Sequence, residues 1–162
     1  MSDVIKVNPS LDLVLDREID VPVDLVWEAW TKPEHLKEWF TPRPWTVKEC
    51  ELDLRPGGIF RTVMCSPEGQ EFPNVGCYLE IVPMKRLVFT SVLLPGYRPA
   101  VDDELPFTGV VTMEKQGTGT RYIAMAIHRD EKGREQHEAM GFHQGWGTAL
   151  EQMVAHIKGL AK

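Results

Sequence analysis

Apolar residues recur along the chain with two different periods, and the change of period divides it into regions. Over residues 134–157, Ala139, Phe142, Trp146, Leu150, Met153 and Ile157 fall on one narrow face of a helical wheel. The spacing predicts one long amphipathic helix, with Glu138, Gln144, Glu151, Gln152 and Lys158 outside the stripe or on its flanks and His143 at its edge. Gly141, Gly145 and Gly147 lie off that face. Each glycine lowers helix propensity by about 1 kcal/mol relative to alanine, so packing on another layer has to hold the helix together.

Upstream the period shortens to two. Leu11, Leu13 and Leu15 open a first strand that stops at Pro22, after which Val23, Val26, Trp27 and Trp30 share one side of a short helix. Pro33 interrupts that helix, a second short one is predicted over 34–39, and the prolines at 42 and 44 predict extended chain over 40–44. From 45 to 127, short apolar runs alternate with Gly and Pro turns, the pattern of an antiparallel meander. Strands are expected over 45–54, 59–65, 72–82, 86–93, 107–114 and 121–128, with a long irregular loop over 95–106. A sheet of this size has one apolar face to cover, and the C-terminal helix is the available cover. The expected fold is therefore α+β, a curved antiparallel sheet around one long helix. Two short helices after the first strand plug one end, and a space remains between sheet and helix.

Composition narrows the partners. With 162 residues, 43% of them hydrophobic, one domain with a sizeable core is expected, its core running over about 11–157. A formal net charge of -6 and the lack of any Lys/Arg run argue against nucleic acid or an anionic membrane as partner. No apolar run reaches the length of a membrane span and residues 1–10 do not read as a signal peptide, so a soluble, cytoplasmic protein is expected. Cys50, Cys65 and Cys77 are an odd number at wide spacing, which predicts reduced thiols rather than disulfides or zinc ligands.

Several segments carry a family resemblance. These are Val21-Pro22-Val23-Asp24-Leu25-Val26-Trp27-Glu28-Ala29-Trp30 running on to Leu36, Trp39-Phe40, and Asp53-Leu54-Arg55-Pro56-Gly57-Gly58-Ile59-Phe60. Gly76-Cys77-Tyr78-Leu79-Glu80-Ile81-Val82-Pro83, Arg86-Leu87-Val88-Phe89-Thr90, Gly119-Thr120 and Gly145-Trp146 complete the set. In this order, and over nearly the whole chain, they resemble the START-like helix-grip (SRPBCC) domains. More narrowly they resemble the family named after the activator of the heat-shock-ninety chaperone ATPase. The resemblance implies a seven-stranded antiparallel sheet gripping the C-terminal helix around a hydrophobic cavity. It implies less about function, because related domains bind lipids, sterols, hormones or polyketides and a few catalyse cyclisation or dehydration. The family's eponymous co-chaperone has a separate N-terminal domain for which this chain has no room, so chaperone contact is not expected.

The chemistry-bearing residues are few. His128, His137, His143 and His156 cluster near the last helix, but on one continuous wheel His137 points opposite the stripe and His156 to one side, so no metal site is expected. His143 either ends on a backbone carbonyl or reaches the cavity as a hydrogen-bond partner or proton carrier. Arg61 shares a strand face with Ile59, Val63 and Cys65 and either stays at the exposed end or pairs with an acidic ligand group, while Glu49, Glu51 and Asp53 share a solvent face. There is no nucleophile elbow, phosphate loop or dinucleotide fingerprint, and no cofactor is expected. The reading is a binder of a small hydrophobic ligand, with His143, Trp146, Arg61, Phe142 and Tyr78 as candidate contacts and no assigned catalytic residue. Two alternatives stay open: an enzyme acting on a ring-containing substrate with His143 as acid or base, and a dimerising or chaperone-associated module marked by an apolar patch on the sheet's outer surface.

Overall fold

A computed structural model describes residues 6–101 and 105–160. The chain runs β1 (Asp12–Ile19), α1 (Val23–Thr31), α2 (Pro33–Leu36), β2 (Thr46–Leu52), β3 (Ile59–Cys65), β4 (Glu71–Val82) and β5 (Arg86–Thr90). It continues through β6 (Leu93–Leu94), β7 (Arg98–Pro99), β8 (Thr108–Gln116), β9 (Gly119–Ile127), α3 (Glu131–Ala139) and α4 (Phe142–Leu160). Seven strands form one antiparallel sheet in the order β1-β9-β8-β5-β4-β3-β2, and β6-β7 is a separate two-stranded ribbon. The α+β helix-grip architecture expected from the sequence is the one observed.

Strand register explains which face is buried. Leu13, Ala126, Gly109, Phe89 and Tyr78 stand in one row across five strands, and Leu15, Ala124, Val111, Leu87 and Ile81 in the next. Both rows face α1 and α4, and nearly all their members belong to the main core. The intervening row, Val14, Met125, Val110 and Val88, faces the other way and forms a small satellite cluster with Leu79 and Ile127. The ion pairs Arg121–Asp16 (2.8 Å) and Arg86–Glu80 bring charge to that outer sheet region. Within the satellite cluster Val88, Val110 and Met125 are buried, whereas Val14, Leu79 and Ile127 are partly exposed.

Three expectations need correction. The helix predicted over 134–157 is two helices, because Gly141 adopts φ +94 and breaks the ladder after Met140. Glycine takes that backbone conformation without the steric penalty of a Cβ, which makes it a helix terminator. The break re-phases the wheel: Ala139 is exposed, and His137, placed opposite the stripe by a continuous helix, is buried at 7% exposure. The stripe beyond the break holds, with Phe142, Leu150, Met153 and Ile157 buried. Burying each such side chain contributes roughly 1.5–3 kcal/mol. Second, 40–44 is not extended but turns through a cis Arg43–Pro44 peptide, with Trp45 N–H donating to Pro42 O at 3.1 Å. Third, the strand expected over 86–93 ends at Thr90, and the β6-β7 ribbon pairs Leu93–Leu94 with Arg98–Pro99 at the start of the expected loop, of which 102–104 lie outside the described residues.

Candidate functional site

Between the sheet and the helices lies a cavity of about 330 Å³, and a second lobe of about 520 Å³ adjoins it. Phe40, Met64, Phe89 and Phe107 line both. The first lobe is walled by Leu15, Tyr122 and Ala124 from the sheet, Trp30 and Trp39 from the small-helix region, and Phe142, Trp146 and Ala149 from α4. The second reaches towards Ser91, Leu94, Ala100 and Val101, so the irregular loop after β5 forms part of its wall.

The size of this space depends on a missing methyl. Gly109 stands beside Phe89 in the β5–β8 register, and a Cβ there would lie 2.4 Å from the Phe89 ring. Glycine therefore lets Phe89 lie back against the sheet. Aromatic neighbours fix the rest, including Phe60 between Phe89 (4.9 Å) and Tyr78 (5.3 Å, stacked) and Phe142 on Trp146 (4.5 Å).

One amide holds the wall formed by 39–43. Gln152 on α4 donates to Trp39 O (3.1 Å) and Thr41 O (2.7 Å) and accepts from Arg43 N–H (2.9 Å). Those groups belong to an irregular segment with no strand partner, so the side chain satisfies two part-buried carbonyls that would otherwise be costly to bury and ties down the exposed Arg43 N–H.

Three polar side chains line the first lobe: Thr41, Tyr122 and His137. Tyr122 Oη accepts from Trp30 Nε1–H at 3.1 Å. Burial pushes its phenol well above the ordinary tyrosine range, against a smaller opposing effect of that bond. His137 is reached through His128, whose Nδ1 is 2.7 Å from Leu11 O and whose Nε2 is 2.9 Å from His137 Nδ1. Desolvation, reinforced by the neighbouring His128, lowers the His137 imidazole to about 4. The rings of Phe107 (5.0 Å), Phe142 (5.3 Å) and Trp146 (6.0 Å) surround it.

Trp146 and Phe142, expected at the ligand, line the cavity. His143 is half-exposed, and its Nε2 lies 3.7 Å from Glu138 Oε2. Arg61 pairs with Glu49 at 3.2 Å and lines neither lobe. Tyr78 is buried under Phe60, its hydroxyl has no partner, and burial, with Cys50 adding a smaller push, raises the phenol's pKa far above the ordinary tyrosine range. It too lines neither lobe. The residues missed by sequence reasoning are His137, His128, Tyr122 and Gln152. The Gly141 stop signal would have freed His137 from the wrong wheel, whereas the Gln152 contacts span more than a hundred residues and leave no local trace. The three thiols are free, and burial pushes Cys50 up to about 11, away from nucleophilic use. Among the described residues no group of three or more ligating side chains could hold a metal, and no helix is long and apolar enough to cross a membrane.

The sequence over residues 20–158 matches the family described as "Activator of Hsp90 ATPase homolog 1-like protein". The chain belongs to that family. Among solved structures, a Nitrosomonas europaea protein is 49% identical, over 96% of this chain and 99% of its own, with a TM-score of 0.92. A Rhodobacter sphaeroides protein shares the fold at 19% identity, over 95% of this chain and 97% of its own, with a TM-score of 0.81. An AHSA1-like protein of Aeromonas hydrophila shares it at 18% identity, over 93% and 94%, with a TM-score of 0.72. No curated protein matches the sequence. Membership of the Activator of Hsp90 ATPase homolog 1-like family accounts for the sheet, the helices and the space between them, and assigns no chemistry to that space.

Proposed function

We propose that this protein binds a small, largely apolar molecule in the cavity between the sheet and α4. The observation that carries the reading is the cavity itself, a two-lobed space walled mainly by aromatic and aliphatic side chains and kept open by Gly109. Small-molecule sites are concave, mostly apolar and fixed by a few polar groups, and the first lobe has that composition. A catalytic reading has less support. Among the described residues the imidazole lining the lobe is that of His137, which becomes a cation only below about pH 4, so it serves better as a hydrogen-bond acceptor than as a general base near neutrality.

Two measurements test the container. Mass spectrometry of the denatured, extracted protein should reveal a retained apolar compound in stoichiometric amount. Calorimetric titration with naphthalene, a flat apolar probe, should show one saturable site that Gly109→Ala weakens, because the added methyl drives Phe89 into the cavity. Overpacking of this kind costs about 1–3 kcal/mol of stability, so the variant should remain folded. An empty protein that also fails to take up naphthalene would sink the reading.

A further inference from the structure

The proton positions along the histidine pair follow from its one fixed end. A backbone carbonyl only accepts, so Leu11 O at 2.7 Å requires a hydrogen on His128 Nδ1. In a neutral His128 the other nitrogen, Nε2, is then a bare lone pair, and the contact at 2.9 Å requires the hydrogen on His137 Nδ1. His137 is thereby held with its own Nε2 unprotonated. That nitrogen has no protein partner, although the residue is 93% buried and lines the first lobe. The nitrogen is not sealed within the wall, so its lone pair is open to a donor on whatever fills the first lobe.

A second polar group is directed by the same logic. Trp30 Nε1–H only donates, so Tyr122 Oη accepts at 3.1 Å, and the phenolic hydrogen remains unused in the same lobe. Thr41, the third polar lining residue, both donates and accepts and adds no direction.

Resting on the container reading above, we propose that the cavity selects an uncharged ring compound bearing a hydroxyl group, whose O–H donates to Nε2 of His137 and whose oxygen side is served by the Tyr122 phenol. A mostly apolar wall whose polar side chains are uncharged near neutrality has no fixed cation to offer a carboxylate or phosphate, so anionic ligands are disfavoured.

The test uses probes that share a ring system and differ only in the substituent at one ring position. Naphthalene reports the container alone, 2-methoxynaphthalene accepts a hydrogen bond but cannot donate, and 2-naphthol does both. In the wild-type protein 2-naphthol should bind about five- to tenfold more tightly than 2-methoxynaphthalene, the worth of one buried hydrogen bond. His137→Phe should abolish that preference, read as the ratio of the 2-naphthol to the 2-methoxynaphthalene affinity within the same variant, so that any repacking of the wall cancels between the two probes. Long-range proton–nitrogen NMR on the wild-type protein gives a readout independent of any variant. His137 Nε2 should resonate as an unprotonated nitrogen and shift when 2-naphthol is added, but not when 2-methoxynaphthalene is. Equal affinities for the two probes, a preference that survives in His137→Phe, or a protonated Nε2 would each overturn the assignment and leave the container standing. If naphthalene and 2-naphthol both fail to bind, the container falls, and this assignment with it.

Discussion

Two histidine pairs built to nearly the same local distance have very different consequences. His35 Nδ1 lies 3.0 Å from His156 Nε2 where α2 meets α4, and His128 Nε2 lies 2.9 Å from His137 Nδ1 beside the cavity. Neither His35 nor His156 is buried, and no further fixed partner dictates which nitrogen carries the hydrogen. The inner pair is anchored by Leu11 O, is buried, and ends on a wall of aromatic rings. An imidazole pair acquires a direction only when one end is pinned by a group that cannot change role.

The largest effect should come from breaking the anchored pair. His128→Ala leaves Leu11 O and His137 Nδ1–H without their partner and opens a void, which should cost about 2–4 kcal/mol in denaturant unfolding. His35→Ala, at the partly buried and unanchored pair, should cost less, about 0.5–1 kcal/mol. Equal losses in the two variants would remove the distinction drawn between the pairs.

A smaller effect is expected from acid. His137 in the folded chain takes up a proton near pH 4, against an ordinary value of 6.5. Between those values the unfolded chain holds the extra proton and the folded chain does not, so stability rises with pH across this window and falls on acidification. The titratable group facing His137 is His128, and the remaining ring contacts are the uncharged Phe107, Phe142 and Trp146. Unfolding free energies measured from pH 4 to 6.5 should slope upward, and His137→Phe should flatten the slope. A slope unchanged in that variant would assign it to other groups.

The smallest effect should come from His156→Phe. Desolvation and His35 lower the His156 imidazole, with Glu38 opposing them. Because the group is partly exposed, solvent screening limits what this shift can contribute, and the same pH series should change by less than for His137→Phe.

The contrast also marks how far the sequence could be read. Alternation at Leu13 and Leu15, the Gly and Pro punctuation from 45 to 127 and the stripe from Phe142 to Ile157 are local signals, and they recover the sheet, its cover and the cavity between them. Phe142 and Trp146 at the cavity follow from the same stripe. His137 is not legible in that stripe because a 3.6-residue wheel does not continue through Gly141, where the backbone turns left-handed and the phase restarts. Tyr122 was visible only as one member of an alternating strand whose two faces have similar polarity. Its partner Trp30 lies 92 residues away, and only the folded register brings them together.

Gln152 adds a kinetic consequence. Trp39, Thr41 and Arg43 are tied to α4 through a single side chain, so these three attachments are not independent. Rotating one amide releases all of them at once. Loss of this side chain's hold is therefore one event for three backbone groups rather than three separate ones, and hydrogen exchange at the Arg43 amide should speed up in Gln152→Ala.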